Sequence, residues 1–375
     1  MRHSTWRTLF SALAAAAAIP AVAWAGPPAP LLTAIDPLTG APYEWQYTAA
    51  NVDPALALSP GSPTVVVGTI DSGAAAIPDL AGKIDSRWTV SPKGKVTRDT
   101  RGNDYVGHGT AVASLIAANG FGMAGFGGAT HVIAMRLPTM TGAAVAAALL
   151  KLDKLGVRIV NMSFGSAVAE PVAVRNAMRR AENDGLLLVA AAGNSSEPVS
   201  HPAADLQPAD GASSAGLAVG ASDAAGNLAF FSNFGEHLSL LAPGSDRGPC
   251  SGVLVAAPIN DEFVDACYPS WTNGSGGSYA YVSGTSFAAP EVVGVAALVW
   301  AARPGLTNEQ VAAIIKQSAR SSNAGWTAGT GCGTLDAGAA LELATSLTDA
   351  EWAETNAADT PCSAGRGSRQ AAAGT

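Results

Sequence analysis

The chain has 375 residues, with 21 Lys and Arg against 29 Asp and Glu, and a formal net charge of −8. A nucleic-acid partner is not expected, because phosphate binding requires a basic face and the sequence has no cluster of Lys and Arg. The length suffices for one large domain or two ordinary ones.

Residues 1–25 have the layout of a secretory signal peptide. Two arginines and a histidine come before or beside an apolar run from Leu9 to Val22, and the segment ends in Ala23-Trp24-Ala25. The run is shorter than the roughly 20 residues that cross a bilayer, which favours a removable signal over a membrane anchor. We therefore expect cleavage after Ala25 and secretion to the extracellular space or cell envelope, with no membrane attachment afterwards.

Strand-like and helix-like segments alternate after an irregular start. Residues 26–63 show no sustained period and are predicted to form an N-terminal arm over the surface. The apolar run 64–70 predicts a strand buried on both faces, which is typical of parallel sheets covered by helices. Further strands are predicted at 131–136, 158–162 and 186–191, and helices at 111–118, 143–155 and 171–184. The alternation predicts an α/β fold with a doubly wound, mostly parallel sheet and helices on both faces.

The last third of the chain is predicted to be loop, helices and tail in that order. Residues 245–281 are interpreted as a long loop, either near a functional site or a decoration unrelated to it. Thr307 and Gln310 have the spacing of a capping box at the start of a helix. Another helix is predicted at 336–344, and the small and acidic residues of 347–375 indicate a flexible tail.

Four cysteines lie in this part of the chain: Cys250, Cys267, Cys332 and Cys362. Since export is expected and no C-x-x-C or paired His accompanies them, disulfides are favoured over metal ligation. Three pairings are possible. We favour the nearest neighbours, Cys250 with Cys267 and Cys332 with Cys362, because each would close a short segment rich in Gly, Pro and Ser.

Three small-residue motifs each contain one side chain that could carry chemistry. Ser286 stands where a helix-forming run begins, so its hydroxyl could cap the helix or act as a nucleophile. His108, between two glycines, could likewise cap a helix or act as a base. Asp71 follows the first buried strand, where it could form a turn or orient a histidine. Taken singly, each motif leaves both interpretations open.

Together these motifs resemble the signature motifs of the subtilisin-like serine proteases, the subtilase family. Ile70-Asp71-Ser72-Gly73, Gly107-His108-Gly109-Thr110 and Gly284-Thr285-Ser286-Phe287-Ala288-Ala289-Pro290 follow the family's order of Asp, His and Ser. Between them, residues 190–195 are similar to the family's oxyanion segment, with Asn194 as its side-chain donor. Residues 161–165 are similar to the strand that lies beside bound substrate. The resemblance covers roughly residues 36–344.

The resemblance implies a serine endopeptidase domain at residues 26–346 that needs no cofactor and acts, as a monomer, on proteins or peptides. Ser286 would attack the peptide carbonyl, His108 would take its proton, Asp71 would orient His108, and Asn194 would bind the oxyanion. The substrate pocket would be walled by Ser163, Phe164, Gly165, Ala191, Ala192 and Gly193, with Ser200 near its base. Because none of these is charged, we expect apolar or aromatic residues before the cleaved bond.

Two departures from the family's pattern are visible. Residues 36–63 already resemble the start of a mature catalytic domain, so no separate propeptide domain is expected after the signal peptide. Residues 117–125 are about two residues shorter than the loop that binds calcium in well-known relatives, and they contain no carboxylate. We therefore assign no metal ligands.

Two other functions are compatible with parts of the sequence. A catalytically silent binding protein on the same fold would be favoured if a member of the triad were replaced, but all three are present. A secreted esterase would be expected to carry a Gly-x-Ser-x-Gly motif, whereas Phe-Ala follows Ser286.

Overall fold

The computed structural model describes residues 42–245, 252–256, 258, 271–272, 278–321, 325–346 and 362, with only the backbone at 271–272. The predicted signal peptide, the cysteines Cys250 and Cys267, and the predicted tail apart from Cys362 lie outside the described residues.

An eight-stranded sheet forms the centre of the protein, in the order β3-β2-β4-β1-β5-β6-β7-β8. Its strands are β1 Val66–Asp71, β2 Ile84–Val90, β3 Val96–Asp99, β4 His131–Arg136, β5 Ile159–Met162, β6 Leu187–Ala191, β7 Gly216–Ser222 and β8 Leu240–Pro243. Neighbouring strands are parallel except β2 and β3, which form an antiparallel pair. The predicted doubly wound α/β fold is confirmed.

Helices cover both faces of this sheet. They are α1 Trp45–Ala49, α2 Val52–Leu58, α3 His108–Ala117, α4 Gly142–Lys154, α5 Val172–Asn183, α6 Ala203–Leu206, α7 Thr285–Ala302, α8 Asn308–Ser318 and α9 Ala337–Ser346. One core contains α4, α5 and α6, and the other contains α3 and α7 with α1, α2, α8 and α9. Alternate residues of β1 face opposite cores, since Val67 lies in the α3 core and Ile70 in the α4 core.

Ser286, the nucleophile predicted from the sequence, lies in α7, which is the longest described helix. Its 18 residues are apolar enough to cross a membrane, but 89 % of this segment is buried inside the protein. It packs on α3 and on strands β5 to β8. The helix therefore belongs to the core, and the burial of its apolar side chains fixes the position of its first turn against the sheet.

The predicted N-terminal surface arm is wrong for the part that the structure describes. Residues 42–63 contain α1 and α2, and Tyr43, Trp45 and Tyr47 are buried in the core that contains α3 and α7. Trp45 and Gln46 side chains also donate hydrogen bonds to backbone carbonyls of residues 252 and 254. Helices of five and seven residues are too short to produce a readable period, so the sequence pattern missed them.

The predicted loop 245–281 is also partly wrong. Val253–Ala256 is a strand, β9, which pairs antiparallel with β11, Ser278–Val282, and β10, Trp271–Thr272, completes a small sheet. The side chains of β9 are fully buried. Because these strands pair with each other across a long insertion, their short apolar runs gave no local signal of a sheet.

Other sequence predictions agree closely with the structure. Thr307 and Gln310 form the predicted capping box at the start of α8. Cys332 and Cys362 form a disulfide, as the preferred pairing predicted. The predicted helix at 336–344 corresponds to α9, which extends from Ala337 to Ser346.

Candidate active site

The polar residues singled out from the sequence meet at the carboxyl edge of the parallel sheet. Asp71 ends β1, Ser163 directly follows β5, and Asn194 lies three residues beyond β6. The chain order reverses between β1 and β5, because β4 lies on one side of β1 and β5 on the other. Open α/β sheets bind ligands at such a switch point.

Asp71 and His108 are in direct contact. The Nδ1 atom of His108 lies 2.8 Å from Oδ1 of Asp71, and each residue is 1 % exposed. The backbone N–H of Ser72 also donates to this carboxylate oxygen, at 2.6 Å, while the Ser72 hydroxyl accepts from the N–H of Gly109 at 2.8 Å. A β-carbon on Gly109 would lie 2.2 Å from the carbonyl oxygen of Gly73. The glycine is therefore required for α3 to approach the end of β1.

A second carboxylate, Asp104, secures the start of α3. Its Oδ2 accepts from both the N–H and the hydroxyl of Thr110, and its Oδ1 accepts from the N–H of Gly107. Burial acts to lower the pKa of His108, but the charge and hydrogen bond of Asp71, with a further contribution from Asp104, raise it above its ordinary value. The imidazole therefore binds a proton more readily than a free histidine does.

Ser286 is the second residue of α7, and Pro290 explains how its backbone is held. Proline has no N–H, so the Ser286 carbonyl lacks its usual helical donor. The Ser163 hydroxyl supplies one instead, at 2.6 Å, and itself accepts from the side-chain N–H of Asn161 at 2.9 Å. The Ser286 hydroxyl in turn donates to the Ser163 carbonyl at 3.3 Å. The ring of the next residue, Phe287, lies 5.2 Å from the His108 ring, which brings the starts of α7 and α3 together.

Two donors from Thr285 fix the orientation of the Asn194 amide. The N–H and the hydroxyl of Thr285 both donate to Oδ1 of Asn194, each at 2.9 Å. The same hydroxyl accepts from the N–H of Gly193 at 3.1 Å. Because Oδ1 is the acceptor in both contacts, the other amide atom, Nδ2, is left as a donor on the side toward Gly284.

The segments predicted to wall a substrate pocket are neighbours. Residues 163–165 follow β5, and residues 191–193 begin with the last residue of β6; the two strands pair in parallel with Met162 opposite Ala190. A β-carbon on Gly165 would lie 3.2 Å from Cβ of Ser200, and the N–H of Ser200 donates to the Ala192 carbonyl at 2.8 Å. Gly193 has φ +109°, and a β-carbon there would lie 2.5 Å from Oγ of Ser200. These contacts place Ser200 against both predicted walls.

Residues 62–336 match the family model described as the subtilase family, Peptidase_S8. The chain belongs to the subtilase family.

Relatives of this subtilase include named proteases. It is 31 % identical over 285 residues to the thermophilic serine proteinase of Bacillus sp. (strain AK1), covering 73 % of this chain and 62 % of that one. It is 32 % identical over 264 residues to subtilisin BL of Lederbergia lenta, covering 68 % of this chain and 84 % of that one. The match thus spans less than two thirds of the Bacillus relative.

Solved structures of proteases share the fold of this subtilase. A protease from Pseudoalteromonas arctica PAMC 21717 superimposes with a TM-score of 0.67 at 26 % identity, covering 81 % of this chain and 97 % of that one. Fervidolysin from Fervidobacterium pennivorans, described as a keratinolytic enzyme related to subtilisin, gives a TM-score of 0.66 at 25 % identity, covering 80 % and 45 %.

Several side chains that hold the site of this subtilase together were not singled out from the sequence. Thr285 orients Asn194, Asn161 supports Ser163, and Asp104 caps α3. The sequence does contain one usable signal. Pro290 stands four residues after Ser286 and has no N–H, so the sequence predicts that the Ser286 carbonyl needs a hydrogen-bond donor from outside the helix. Thr285 contacts Asn194 across 91 positions, so that contact had no local signature, whereas Asn161 and Asp104 act on residues only two to six positions away.

The short loop at 119–125 of this subtilase is held by carboxylates from elsewhere in the chain. Oδ1 of Asp79 accepts from the N–H groups of Gly122 and Met123, and both Asp79 oxygens lie within hydrogen-bond distance of the Tyr279 hydroxyl. Glu44 accepts from the N–H of Ala124, and burial raises the pKa of its carboxyl to about 8. The loop's own N–H groups thus engage one oxygen of each carboxylate, and among the described residues no group of three or more His, Cys, Asp or Glu side chains could hold a metal ion.

Proposed function

We propose that this subtilase is a serine endopeptidase that hydrolyses peptide bonds of protein substrates through an acyl-enzyme. The observation that supports this most strongly is the buried 2.8 Å contact between Asp71 and His108 beside the first turn of α7, where Ser286 lies. A catalytic serine requires a base, and a base of this kind requires a partner that fixes its tautomer.

In the proposed first step, Oγ of Ser286 forms a bond to the scissile carbonyl carbon while its proton passes to Nε2 of His108. For this, the hydroxyl turns from the Ser163 carbonyl toward His108 when substrate binds. Asp71 accepts the Nδ1 hydrogen and stabilises the imidazolium that forms. His108 then gives the proton to the leaving amine as the carbon–nitrogen bond breaks, and water releases the acyl group by the same sequence.

Negative charge develops on the carbonyl oxygen in each step, and we assign its stabilisation to Nδ2 of Asn194 and the N–H of Ser286. Both are oriented before substrate arrives, Asn194 by Thr285 and Ser286 by the start of α7. The positive end of the helix dipole adds to the effect. The predicted pocket residues, Ser163 to Gly165 and Ala191 to Gly193, would hold the substrate residue before the cleaved bond.

Casein hydrolysis by the purified protein tests this proposal. We expect cleavage at neutral to alkaline pH that a serine-directed fluorophosphonate stops completely. Absence of cleavage under these conditions, with the protein folded, would favour a silent binding protein on the same fold.

The pH dependence should reflect the histidine. Only neutral His108 can accept the Ser286 proton, and its pKa lies above the ordinary value of about 6.5. We expect kcat/KM to rise with pH through an inflection above about 6.5 and to reach a plateau under alkaline conditions. His131, which pairs with Asp85 near the surface, offers a control, and His131→Gln should leave the profile unchanged. An optimum in acid would be inconsistent with this base.

The proposed enzyme is exported as a monomer, with residues 1–25 removed and residues 26–346 forming the catalytic domain. The disulfide between Cys332 and Cys362 is consistent with an oxidising compartment. N-terminal sequencing of exported protein should begin at Gly26, and a sequence that begins at Met1 would contradict removal of a signal peptide.

We further propose that the stability of the domain does not depend on calcium at the 119–125 loop. EDTA should therefore lower the Tm by only a few degrees. Tyr279→Phe, which removes the hydroxyl that contacts Asp79, should lower the Tm while leaving it just as insensitive to EDTA. A fall of tens of degrees with EDTA would show that a cation site has been missed.

A further inference from the structure

A polar pocket of about 270 Å³ lies at the carboxyl end of β4. Its lining includes Thr89, Arg98, Asp99, Arg101, Asn103 and Arg136. Three of these residues are arginines and one is an aspartate, which leaves an excess of two positive charges. The chain as a whole has a formal net charge of −8, so the pocket is a local reversal of sign.

The pocket adjoins the Asp71–His108 pair. Arg136 is the direct partner of Asp71 across strands β4 and β1. A β-carbon on Gly73 would lie 3.1 Å from Cδ of Arg136 and 2.7 Å from the carbonyl oxygen of Asn103. These two pocket residues therefore contact the turn that follows Asp71. Asn103 also lies next to Asp104, the residue that caps the helix of His108.

Within the pocket, the one carboxylate is already engaged. Oδ2 of Asp99 lies 3.6 Å from Nε of Arg136 and accepts from the Thr89 hydroxyl at 3.4 Å. Its other oxygen accepts from the backbone N–H of Arg101 at 2.9 Å. Asp99 therefore offsets much of the charge of Arg136. The guanidinium of the exposed Arg98 lies 5.6 Å from the centre of the Trp88 ring, and together with the exposed Arg101 it leaves the pocket suited to an anionic group.

If the substrate binds in an extended conformation, the side of the chain on which each of its side chains lies determines which of them can reach this pocket. In the proposed function, the residue before the cleaved bond (P1) enters the slot beyond β5 and β6. Successive side chains of an extended strand point to opposite sides. The preceding residue (P2) therefore points the other way, over His108 toward the ends of β1 and β4.

We propose that this pocket is the P2 subsite and that it selects an aspartate or glutamate side chain of the substrate. The inference rests on the proposed peptidase function and adds a second determinant to the apolar P1 preference. Arg101 and Arg98 would supply the charge, and the guanidinium geometry suits a carboxylate.

The test uses peptides that share one apolar P1 residue and differ only at P2, with Glu, Gln or Lys. We expect kcat/KM to be about tenfold higher for Glu than for Lys at low ionic strength, with Gln between them. Salt at about 0.5 M should reduce this ratio, because the groups are partly exposed. Arg101→Ala should bring the ratio closer to one, whereas Arg179→Ala, which removes the same charge from the exposed face of α5, should leave it unchanged.

Equal rates for the Glu and Lys peptides, or a ratio that Arg101→Ala does not change, would overturn the proposal. If no peptide is cleaved, the peptidase function fails, and the subsite is then tested by fluorescence anisotropy of the same peptides on Ser286→Ala. Tighter binding of the Glu peptide, lost in the Arg101→Ala, Ser286→Ala double variant, would support the subsite. Equal binding of the Glu and Lys peptides would refute it.

Discussion

Ser286→Ala should lower kcat by about 10⁴-fold or more, because the acyl-enzyme pathway loses its nucleophile. Ser286 is only 8 % exposed, and its hydroxyl donates a hydrogen bond to the Ser163 carbonyl at 3.3 Å. The serine carbonyl that anchors Ser163 is retained in the variant. We therefore expect the fold and the Tm to change little while hydrolysis of peptide substrates disappears.

Ser62→Ala is a matched control for this variant. Ser62 precedes β1 at the opposite edge of the sheet, and its hydroxyl contacts only the nearby Thr64 among the contacts that the structure describes. Its activity should equal that of the unmodified protein. Near-normal hydrolysis by Ser286→Ala, with a circular dichroism spectrum unchanged, would be incompatible with the proposed nucleophile.

Asn194→Ala should lower kcat by about 10² to 10³-fold with little change in KM, a loss of about 3 to 4 kcal/mol of transition-state stabilisation. That magnitude is the one found for such a donor in subtilisin, a relative in this family. KM is spared because the Nδ2 hydrogen bond forms mainly when charge develops on the carbonyl oxygen. The variant should still react slowly with a fluorophosphonate, since Ser286 and His108 remain.

Two further variants distinguish a role of Asn194 as hydrogen-bond donor from a purely structural role in its turn. Asn194→Asp keeps an oxygen that can accept from Thr285 but has no N–H to donate, so it should be at least as impaired as the alanine variant. Thr285→Val removes the hydroxyl that donates to Oδ1 of Asn194, and we expect about a tenfold loss of kcat from a less well oriented amide. If Asn194→Ala retains near-normal kcat, Asn194 is a turn residue only.

The fold class could be predicted from the sequence because four adjacent strands of the sheet each have a strong local signal. The apolar runs that become β1, β4, β5 and β6 are nearly continuous, and helix-like segments separate them. Strand β7 was missed, since Gly216, Ala218, Gly220 and Ala221 make it a run of small residues with weak strand preference. Strands of this kind form because their neighbours in the sheet pair with them.

The sequence predicted those residues of the candidate site that lie in short local motifs, but not the contacts that hold them in place. Asp71, His108 and Ser286 each sit in a glycine-containing motif that can be read along the chain. The contact of Thr285 with Asn194 joins residues 91 positions apart, and that of Ser163 with Ser286 joins residues 123 apart. Such contacts follow from the order of the strands and the burial of α7, which the sequence pattern alone does not contain.

Mass-spectrometric location of a fluorophosphonate adduct tests the central claim most directly. The purified protein should carry one adduct, on Ser286, and it should form faster as pH rises through the pKa of His108. Ser286→Ala should carry none, and His108→Ala should be labelled far more slowly. An adduct on another serine, or labelling that survives Ser286→Ala, would contradict the assignment of Ser286 as the nucleophile.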